Sequence, residues 1–276
     1  MNNFIESHLT QLKKKNFLNP EIELRTLLNF SSAKDQNIFF CNFEINQINL
    51  NKFNSFFERR ICREPISKIV NNKEFWSYNF FVNKKVLDPR PETEFLIDTA
   101  KKYFSNYDSC LKIFDLGTGT GCLAIVLAKI YKNSKIIATD ISSGAIKVAK
   151  INLKKHNVTN QIKLINCDWI SKIEEFDLII CNPPYLSINE YINCDDGIKF
   201  YEPKEALVAG NDGLSAYKEI AIIASKTMHR GSFLFLEIGK NKKDRIISIF
   251  NNNGIRNVEI IKDYQSIDRV LVMRKT

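Results

Sequence analysis

The sequence lacks any long apolar run. Its longest uninterrupted stretch of apolar residues, 122–128, is seven residues long, whereas a helix that crosses a bilayer needs about 20. Residues 1–6 contain no basic segment followed by an apolar core, so we expect no secretory signal. These absences argue against a membrane-spanning helix and predict a cytoplasmic protein without a membrane partner.

The usual patterns of metal sites and disulfide frameworks are also missing. The chain has seven cysteines, no two of which form a C-x-x-C pair, and three histidines. Structural zinc needs closely spaced pairs of such ligands, and a disulfide framework normally uses an even number of cysteines. We therefore expect reduced thiols and a functional site without a metal ion.

Acidic residues are fewer than basic ones, which leaves a net charge of +9. A basic protein attracts polyanions such as nucleic acids. However, the lysines are scattered rather than gathered in one run, and the first 85 residues carry +5 of the total. A solvated surface therefore explains the charge as well, and we expect no stable nucleic-acid partner.

From residue 112 onward, short apolar strands alternate with helical segments. We expect strands near 113–114, 136–139, 162–165, 178–181 and 233–236, with helices near 121–131, 142–156 and 214–229. This alternation predicts an α/β domain with a doubly wound, mostly parallel sheet, whose ligands bind at the carboxyl ends of the strands. Two last apolar runs, 258–261 and 270–273, predict a pair of edge strands that form a hairpin.

The first part of the chain has a different pattern. Apolar residues recur at helical spacing in three segments before residue 62, which predicts a small helical domain over residues 1–72. The aromatic and β-branched segment that follows predicts a hinge hairpin at 73–86. The main domain then covers 87–276, and it begins with two prolines that hold the chain extended before Thr93. We expect Thr93 to cap a helix that runs to about Phe104.

A glycine-rich turn after the first strand of the sheet is the strongest functional signal. Residues 114–122 read F-D-L-G-T-G-T-G-C, with glycines at 117, 119 and 121. Such glycines let the backbone approach a ligand closely, and the helix that follows points free N–H groups toward it. The dinucleotide pattern G-x-G-x-x-G is weakened because Cys122 occupies its last position. With Asp115 ahead, the turn resembles the first motif of class I S-adenosylmethionine methyltransferases instead.

Two acidic positions follow the next strands. Asp140 ends the second strand, where its carboxylate can accept both hydroxyls of a ribose or can instead cap the following helix. Asp168 and Trp169 follow the third strand, where the indole can stack on an adenine ring while the carboxylate accepts from its amino group. A tryptophan that only packs in the core explains the second pair equally well.

The sequence Asn182-Pro183-Pro184-Tyr185 follows the fourth strand directly. Methyl transfer to a planar amide or aromatic amine develops positive charge on nitrogen, so hydrogen-bond acceptors must face its N–H groups. The side-chain oxygen of Asn182 and the carbonyl of Pro183 can each accept one, and the two prolines fix the direction of that carbonyl. Tyr185 can stack on the planar group. This motif therefore predicts catalysis without a strong general base.

Together these motifs resemble the release factor glutamine methyltransferase family. Further short motifs occur in the family's order along nearly the whole chain, namely residues 64–66, 74–76, 90–94, 168–169 and 201–203. One departure is Arg63, which stands where the family usually has glycine. The resemblance implies a class I fold with a seven-stranded sheet, a substrate-docking domain at 1–72, and a monomer. It also implies transfer of a methyl group from S-adenosylmethionine, which leaves S-adenosylhomocysteine, to N5 of the glutamine in the Gly-Gly-Gln loop of bacterial class I release factors.

The resemblance also implies residue roles. It assigns the donor's methionine part to Gly117, Thr118, Gly119, Thr120 and Gly121, its ribose to Asp140, and its adenine to Asp168 and Trp169, with Asn182 beside it. It assigns the acceptor glutamine to Asn182, Pro183, Pro184 and Tyr185, of which Asn182, Pro183 and Tyr185 are the catalytic set. Independently of the resemblance, the position of residues 87–97 just before the first strand of the sheet makes this segment a candidate lid over the donor's methionine end.

Two other functions remain open at this point. One is an amino-methyltransferase of the adenine N6 type that acts on nucleic-acid bases, although the small N-terminal domain speaks against a DNA enzyme. The other is a non-catalytic module of the translation machinery that binds S-adenosylmethionine.

Overall fold

A computed structural model describes residues 3–32, 38–169 and 174–275. The chain divides into two compact units, Met1–Asn71 and Asn72–Thr276. Within the described residues, no helix combines the length and apolarity that a membrane span requires.

The first unit is helical. Its helices are α1 (Asn3–Lys14), α2 (Pro20–Ser31), α3 (Leu50–Ile61) and α4 (Ile66–Val70). Local signals set their starts, since Pro20 occupies the first turn of α2 and the Asn49 side chain accepts a hydrogen bond from the Lys52 N–H at the start of α3. The apolar stripes form a separate core around Ile5, Leu24 and Phe53. The role of residues 1–72 in docking a substrate stays a prediction.

The second unit begins with a short antiparallel hairpin and continues as an α/β structure. Its elements are β1 (Lys73–Phe75), β2 (Tyr78–Phe80), α5 (Glu94–Tyr103), β3 (Lys112–Leu116), α6 (Cys122–Ile130), β4 (Lys135–Asp140), α7 (Ser143–Lys155), β5 (Ile162–Asn166), β6 (Phe176–Cys181), α8 (Ile188–Ile192), α9 (Asp196–Tyr201), α10 (Ser215–Thr227), β7 (Met228–Glu237), α11 (Lys243–Asn251), β8 (Ile255–Lys262) and β9 (Asp268–Lys275). The hairpin buries Phe75 and Phe80 in the core of this unit. Its role as a hinge stays a prediction.

Seven strands of the described residues form one sheet in the order β5-β4-β3-β6-β7-β9-β8. The pairs from β5 to β7 are parallel, and β9 is antiparallel to both of its neighbours. The predicted doubly wound, mostly parallel sheet is therefore confirmed. The final two strands do form a hairpin, but β9 lies inside the sheet, so its prediction as an edge strand was wrong. Residues 270–273 are all apolar and fully buried, and an apolar run alone does not reveal which strands flank it.

The strand order reverses between β3 and β6. The chain winds outward from β3 through β4 to β5 and then returns to place β6 on the other side of β3, where Leu116 pairs with Cys181. At such a reversal the connections leave a crevice at the carboxyl ends of the two central strands. The glycine-rich turn and the Asn-Pro-Pro-Tyr segment therefore emerge at the same place.

Asn152 on α7 ties the glycine-rich turn to the segment that follows the hairpin. Its buried side chain accepts a hydrogen bond from the Phe81 N–H at 2.7 Å and donates to the carbonyls of Phe81 at 3.0 Å and Thr120 at 2.9 Å. One side chain thus satisfies three backbone groups of two separate loops.

Asn152→Ala should lower the free energy of unfolding by about 2–3 kcal/mol, because it leaves buried backbone groups without their partner. Asn133→Ala is the control, since Asn133 donates a single exposed hydrogen bond to Asp108. Urea unfolding of both variants measures the difference. If Asn152→Ala and Asn133→Ala have the same free energy of unfolding, Asn152 does not stabilise the two loops.

Candidate active site

The three glycines of the turn after β3 have different surroundings. All three have positive φ, at 71° for Gly117, 54° for Gly119 and 81° for Gly121, which disfavours any residue with a Cβ. A Cβ added at Gly117 or Gly119 would meet nothing within 4 Å, whereas one at Gly121 would lie 3.4 Å from Ala149 and 3.5 Å from Leu153. Gly117 and Gly119 therefore border open space, while Gly121 lies beside side chains of α7.

The threonines of the turn are engaged with protein groups. Thr118 donates from its hydroxyl to Asp115 Oδ2 at 2.5 Å and from its backbone N–H to the Thr139 carbonyl at 2.8 Å. The Thr120 hydroxyl accepts from the Cys122 N–H. Both side chains are buried, so they shape the turn from beneath.

Asp115 lies under the turn with one oxygen unused. Its Oδ1 has no hydrogen-bond partner among the described residues. Burial raises the pKa of Asp115 to about 7, against the hydrogen bond from Thr118, which lowers it. A buried acceptor of this kind is costly unless a partner arrives.

Asp140 closes β4 beside the turn. Its Oδ2 accepts from the Gly119 N–H at 2.9 Å and its Oδ1 from the Ser142 N–H at 2.8 Å. Burial raises the pKa of Asp140, while these two N–H groups oppose the shift. Capping of α7 falls to Ser142, whose hydroxyl accepts from the Ala145 N–H, so the alternative role of Asp140 as the N-cap was wrong. A carboxylate has about four acceptor positions, and the two that remain can serve a diol.

Asp168 and Trp169 follow β5. Asp168 is exposed, and Trp169 is half-buried with a positive φ of 61°. The indole N–H donates to Glu219 on α10 at 2.5 Å, and the ring packs against the apolar cluster on that side of the sheet. The indole therefore has a core contact and a fixed orientation at the strand ends.

The Asn-Pro-Pro-Tyr segment is held rigidly after β6. Lys242 donates to the Tyr185 carbonyl at 2.7 Å and to Glu190 at 2.6 Å. A Cβ added at Gly213 would collide with that same carbonyl, and one at Gly239 would lie 3.0 Å from the Tyr185 ring. Burial raises the pKa of Tyr185 to about 12. The tyrosine therefore stays neutral, with its ring pressed against backbone.

Asn182 makes a contact that the sequence did not predict. Its Nδ2 donates to the Thr93 hydroxyl at 2.9 Å, and that hydroxyl donates to Glu237 Oε2 at 2.7 Å. Thr93 stands at the predicted N-cap position, directly before α5, but its hydroxyl makes no capping hydrogen bond, so the predicted capping contact was wrong. Burial raises the pKa of Glu237 to about 7. The only sequence signal for Glu237 was a carboxylate at the end of an apolar strand.

An ion pair between Arg90 and Glu202 anchors the segment before Thr93. Arg90 pairs with Glu202 at 3.2 Å, and Glu202 also accepts from the Asp88 N–H at 3.2 Å. Glu202 belongs to the motif at 201–203, to which sequence reasoning gave no role. This contact holds residues 88–93 against the end of α9.

Comparison with known proteins agrees with this geometry. The family model described as "Methyltransferase small domain" matches residues 81–193. A release factor glutamine methyltransferase from Buchnera aphidicola is 35% identical, and the match covers 95% of each chain. The chain belongs to the release factor glutamine methyltransferase family.

Other relatives of the family differ in length. A protein named bifunctional methyltransferase from Rickettsia bellii is 37% identical over 97% of this chain, which spans only 53% of that relative. A crystal structure of a methyltransferase from Pyrococcus furiosus has a TM-score of 0.52 at 17% identity, covering 79% of this chain and 96% of the other. That likeness concerns the fold alone, and with the sheet order it confirms the class I methyltransferase fold.

Glu237→Gln should change stability in a pH-dependent way. Because the folded protein raises the pKa of Glu237 from 4.5 to about 7, the folded state holds a proton that the unfolded chain has released within that window. Wild-type stability should therefore fall relative to the Gln variant as pH rises, by about 2–3 kcal/mol between pH 5 and pH 8.

Urea unfolding at pH 5 and pH 8 measures this difference. Glu205→Gln, which removes an exposed carboxylate, is the control. A stability difference between wild type and Glu237→Gln that is the same at both pH values would show that Glu237 does not titrate in this window.

Proposed function

We propose that this protein transfers a methyl group from S-adenosylmethionine to N5 of the glutamine in the Gly-Gly-Gln loop of bacterial class I release factors. The observation that carries the proposal is the pairing of Leu116 with Cys181. It brings an open glycine turn and a rigid Asn-Pro-Pro-Tyr segment to neighbouring strand ends. The relatives named release factor glutamine methyltransferase, which match over most of their length, supply the substrate class.

The residues of the turn suit S-adenosylmethionine. Gly117 and Gly119 leave a space that a Cβ would fill, which allows a ligand to lie against the backbone. Asp140 has acceptor positions left for ribose hydroxyls, and Asp115 offers a buried acceptor without a partner among the described residues. Trp169 presents a flat ring for the adenine, with Asp168 beside it. Thr118, Thr120 and Gly121 support the turn.

S-adenosylmethionine supplies an electrophilic methyl group when bound. Asn182 accepts a hydrogen bond from the acceptor amide through Oδ1, since Nδ2 is already committed to Thr93. The Pro183 carbonyl accepts the other, and its direction is fixed by Pro184. These acceptors stabilise the positive charge that develops on nitrogen, and Tyr185 stacks on the amide plane. As the bond from nitrogen to the methyl carbon forms, the bond from sulfur to that carbon breaks, and the nitrogen releases one proton to solvent.

The proposal extends to the rest of the chain. Residues 1–72 dock the release factor, 73–86 join this domain to the catalytic one, and 87–276 carry out the transfer. We propose a cytoplasmic monomer without a stable nucleic-acid partner. Because the chain spans about half the length of the Rickettsia relatives, any second activity of those proteins lies outside this proposal.

Labelled S-adenosylmethionine tests the function directly. The protein is incubated with purified class I release factor, with total RNA and with DNA. We expect label on the release factor, and on a variant whose Gly-Gly-Gln glutamine is replaced we expect none. Label only on nucleic acid would favour a base methyltransferase, and tight cofactor binding without any transfer would favour a binding module.

Asn182→Ala and Asp140→Ala should have opposite effects. Asn182→Ala should abolish turnover with little loss of S-adenosylmethionine affinity, because the carboxamide acts on the acceptor. Asp140→Ala should raise the cofactor Kd, by about tenfold or more for the loss of charged hydrogen bonds. Calorimetry and turnover assays separate the two. An Asn182→Ala protein unable to bind the cofactor would overturn the assignment.

Gly119→Ala should weaken cofactor binding by filling the space beside the turn. Gly254→Ala is a matched control, since Gly254 also has a positive φ, at 74°, and open space around its Cβ position, between α11 and β8. Both variants should lose about 1–2 kcal/mol of stability through backbone strain. Only Gly119→Ala should raise the cofactor Kd. Equal affinities in calorimetry would remove Gly119 from the binding site.

A further inference from the structure

Two hydrogen bonds link three side chains, from the site into the core. Asn182 Nδ2 donates to Thr93 Oγ1 at 2.9 Å, and Thr93 Oγ1 donates to Glu237 Oε2 at 2.7 Å. Thr93 is 2% exposed and Glu237 is 1% exposed. The three residues come from the turn before α5, the loop after β6 and the end of β7, so the contact exists only in the folded protein.

When Glu237 is ionised, counting protons fixes the direction of these hydrogen bonds. A hydroxyl has a single proton to donate, and an ionised carboxylate can only accept. When Glu237 takes the Thr93 proton, Thr93 can offer only lone pairs to Asn182. The amide must then turn its NH2 group toward Thr93, which leaves Oδ1 on the opposite side.

We propose that Thr93 and Glu237 are positioning residues that hold the Asn182 carboxamide with Oδ1 facing the acceptor amide. This inference rests on the proposed methyl transfer. A carboxamide has nearly the same shape in its two flipped orientations, so packing alone discriminates poorly between them. The wrong orientation would present a donor to a substrate group that is itself a donor.

The surroundings of Glu237 favour such a role. It ends a strand whose preceding residues, 233–236, are apolar, and burying a carboxylate there is costly without a specific partner. Burial raises the pKa of Glu237 to about 7, while the Thr93 hydrogen bond and the charges of Arg269 and Arg90 oppose that shift, so the carboxylate is ionised above about pH 7. Tyr217 donates to the Glu237 carbonyl at 3.2 Å, which holds the backbone but leaves the carboxylate to Thr93.

The test compares Thr93→Val, which keeps the shape and removes the hydroxyl, with Thr93→Ser, which keeps the hydroxyl. We expect Thr93→Val to lower kcat on purified release factor about ten- to a hundredfold with the S-adenosylmethionine Kd unchanged. Thr93→Ser should recover kcat relative to Thr93→Val. Thr99→Val is the control, because the buried Thr99 hydroxyl donates to the Phe95 carbonyl within α5 and its loss should leave kcat unchanged.

A double-mutant cycle separates positioning from mere structural support. Added to Asn182→Ala, Thr93→Val should cause no further loss in release factor binding to the enzyme loaded with S-adenosylhomocysteine, as measured by calorimetry. Additive losses, or a Thr93→Val protein with wild-type kcat, would overturn the inference. If wild type itself does not methylate release factor, the proposed function fails instead.

Glu237→Gln carries the test if Thr93→Val does not fold. A glutamine can donate to Thr93 as well as accept from it, so the Thr93 proton becomes free to point at Asn182 Oδ1. We expect a reduced kcat with the cofactor Kd unchanged. A kcat equal to that of wild type would overturn the inference.

Discussion

The parallel pairing of β3 with β6 is the constraint on which the site depends. Because the chain reverses its strand order at this pair, the loops after Leu116 and Cys181 leave the sheet side by side. One loop leaves open space beside Gly117 and Gly119, and the other is a rigid segment that begins with Asn182. Under the proposed function neither loop suffices without the other, since methyl transfer requires the donor and the acceptor to meet within bonding distance.

Buried polar contacts then hold the two loops in place. Asn152 satisfies the Thr120 carbonyl of the glycine-rich turn, Lys242 holds the Tyr185 carbonyl, and the Thr93 hydroxyl links Asn182 to Glu237. Each of these polar groups is unfavourable in the core unless its partner is present. The contacts therefore make the site rigid and restrict it to one arrangement, which is the condition for preorganised electrostatic catalysis.

Local patterns predicted most of the elements but not the contacts between them. Periodicity located the strands of the main sheet and helices α6, α7 and α10, because it reflects which face of each element is buried, but it did not predict α8, α9 and α11. The helix-cap signal was misleading at Thr93. A threonine before a helix usually caps it, but the partner of the Thr93 hydroxyl is Glu237, which is 144 residues away. The spacing of the glycines also could not distinguish Gly121, which packs against α7, from Gly117 and Gly119, which border open space.

The amino-acid sequence alone was enough to predict the α/β class, the strands after which functional residues stand, and the motifs that identify the family. These follow from residue type and from spacing over a few neighbours. The position of β9 inside the sheet, the bond from the Gly119 N–H to Asp140 and the direction in which the Asn182 amide faces are set by the folded structure. Those outcomes depend on groups brought together from distant parts of the chain, and their hydrogen bonds form only once the sheet has assembled.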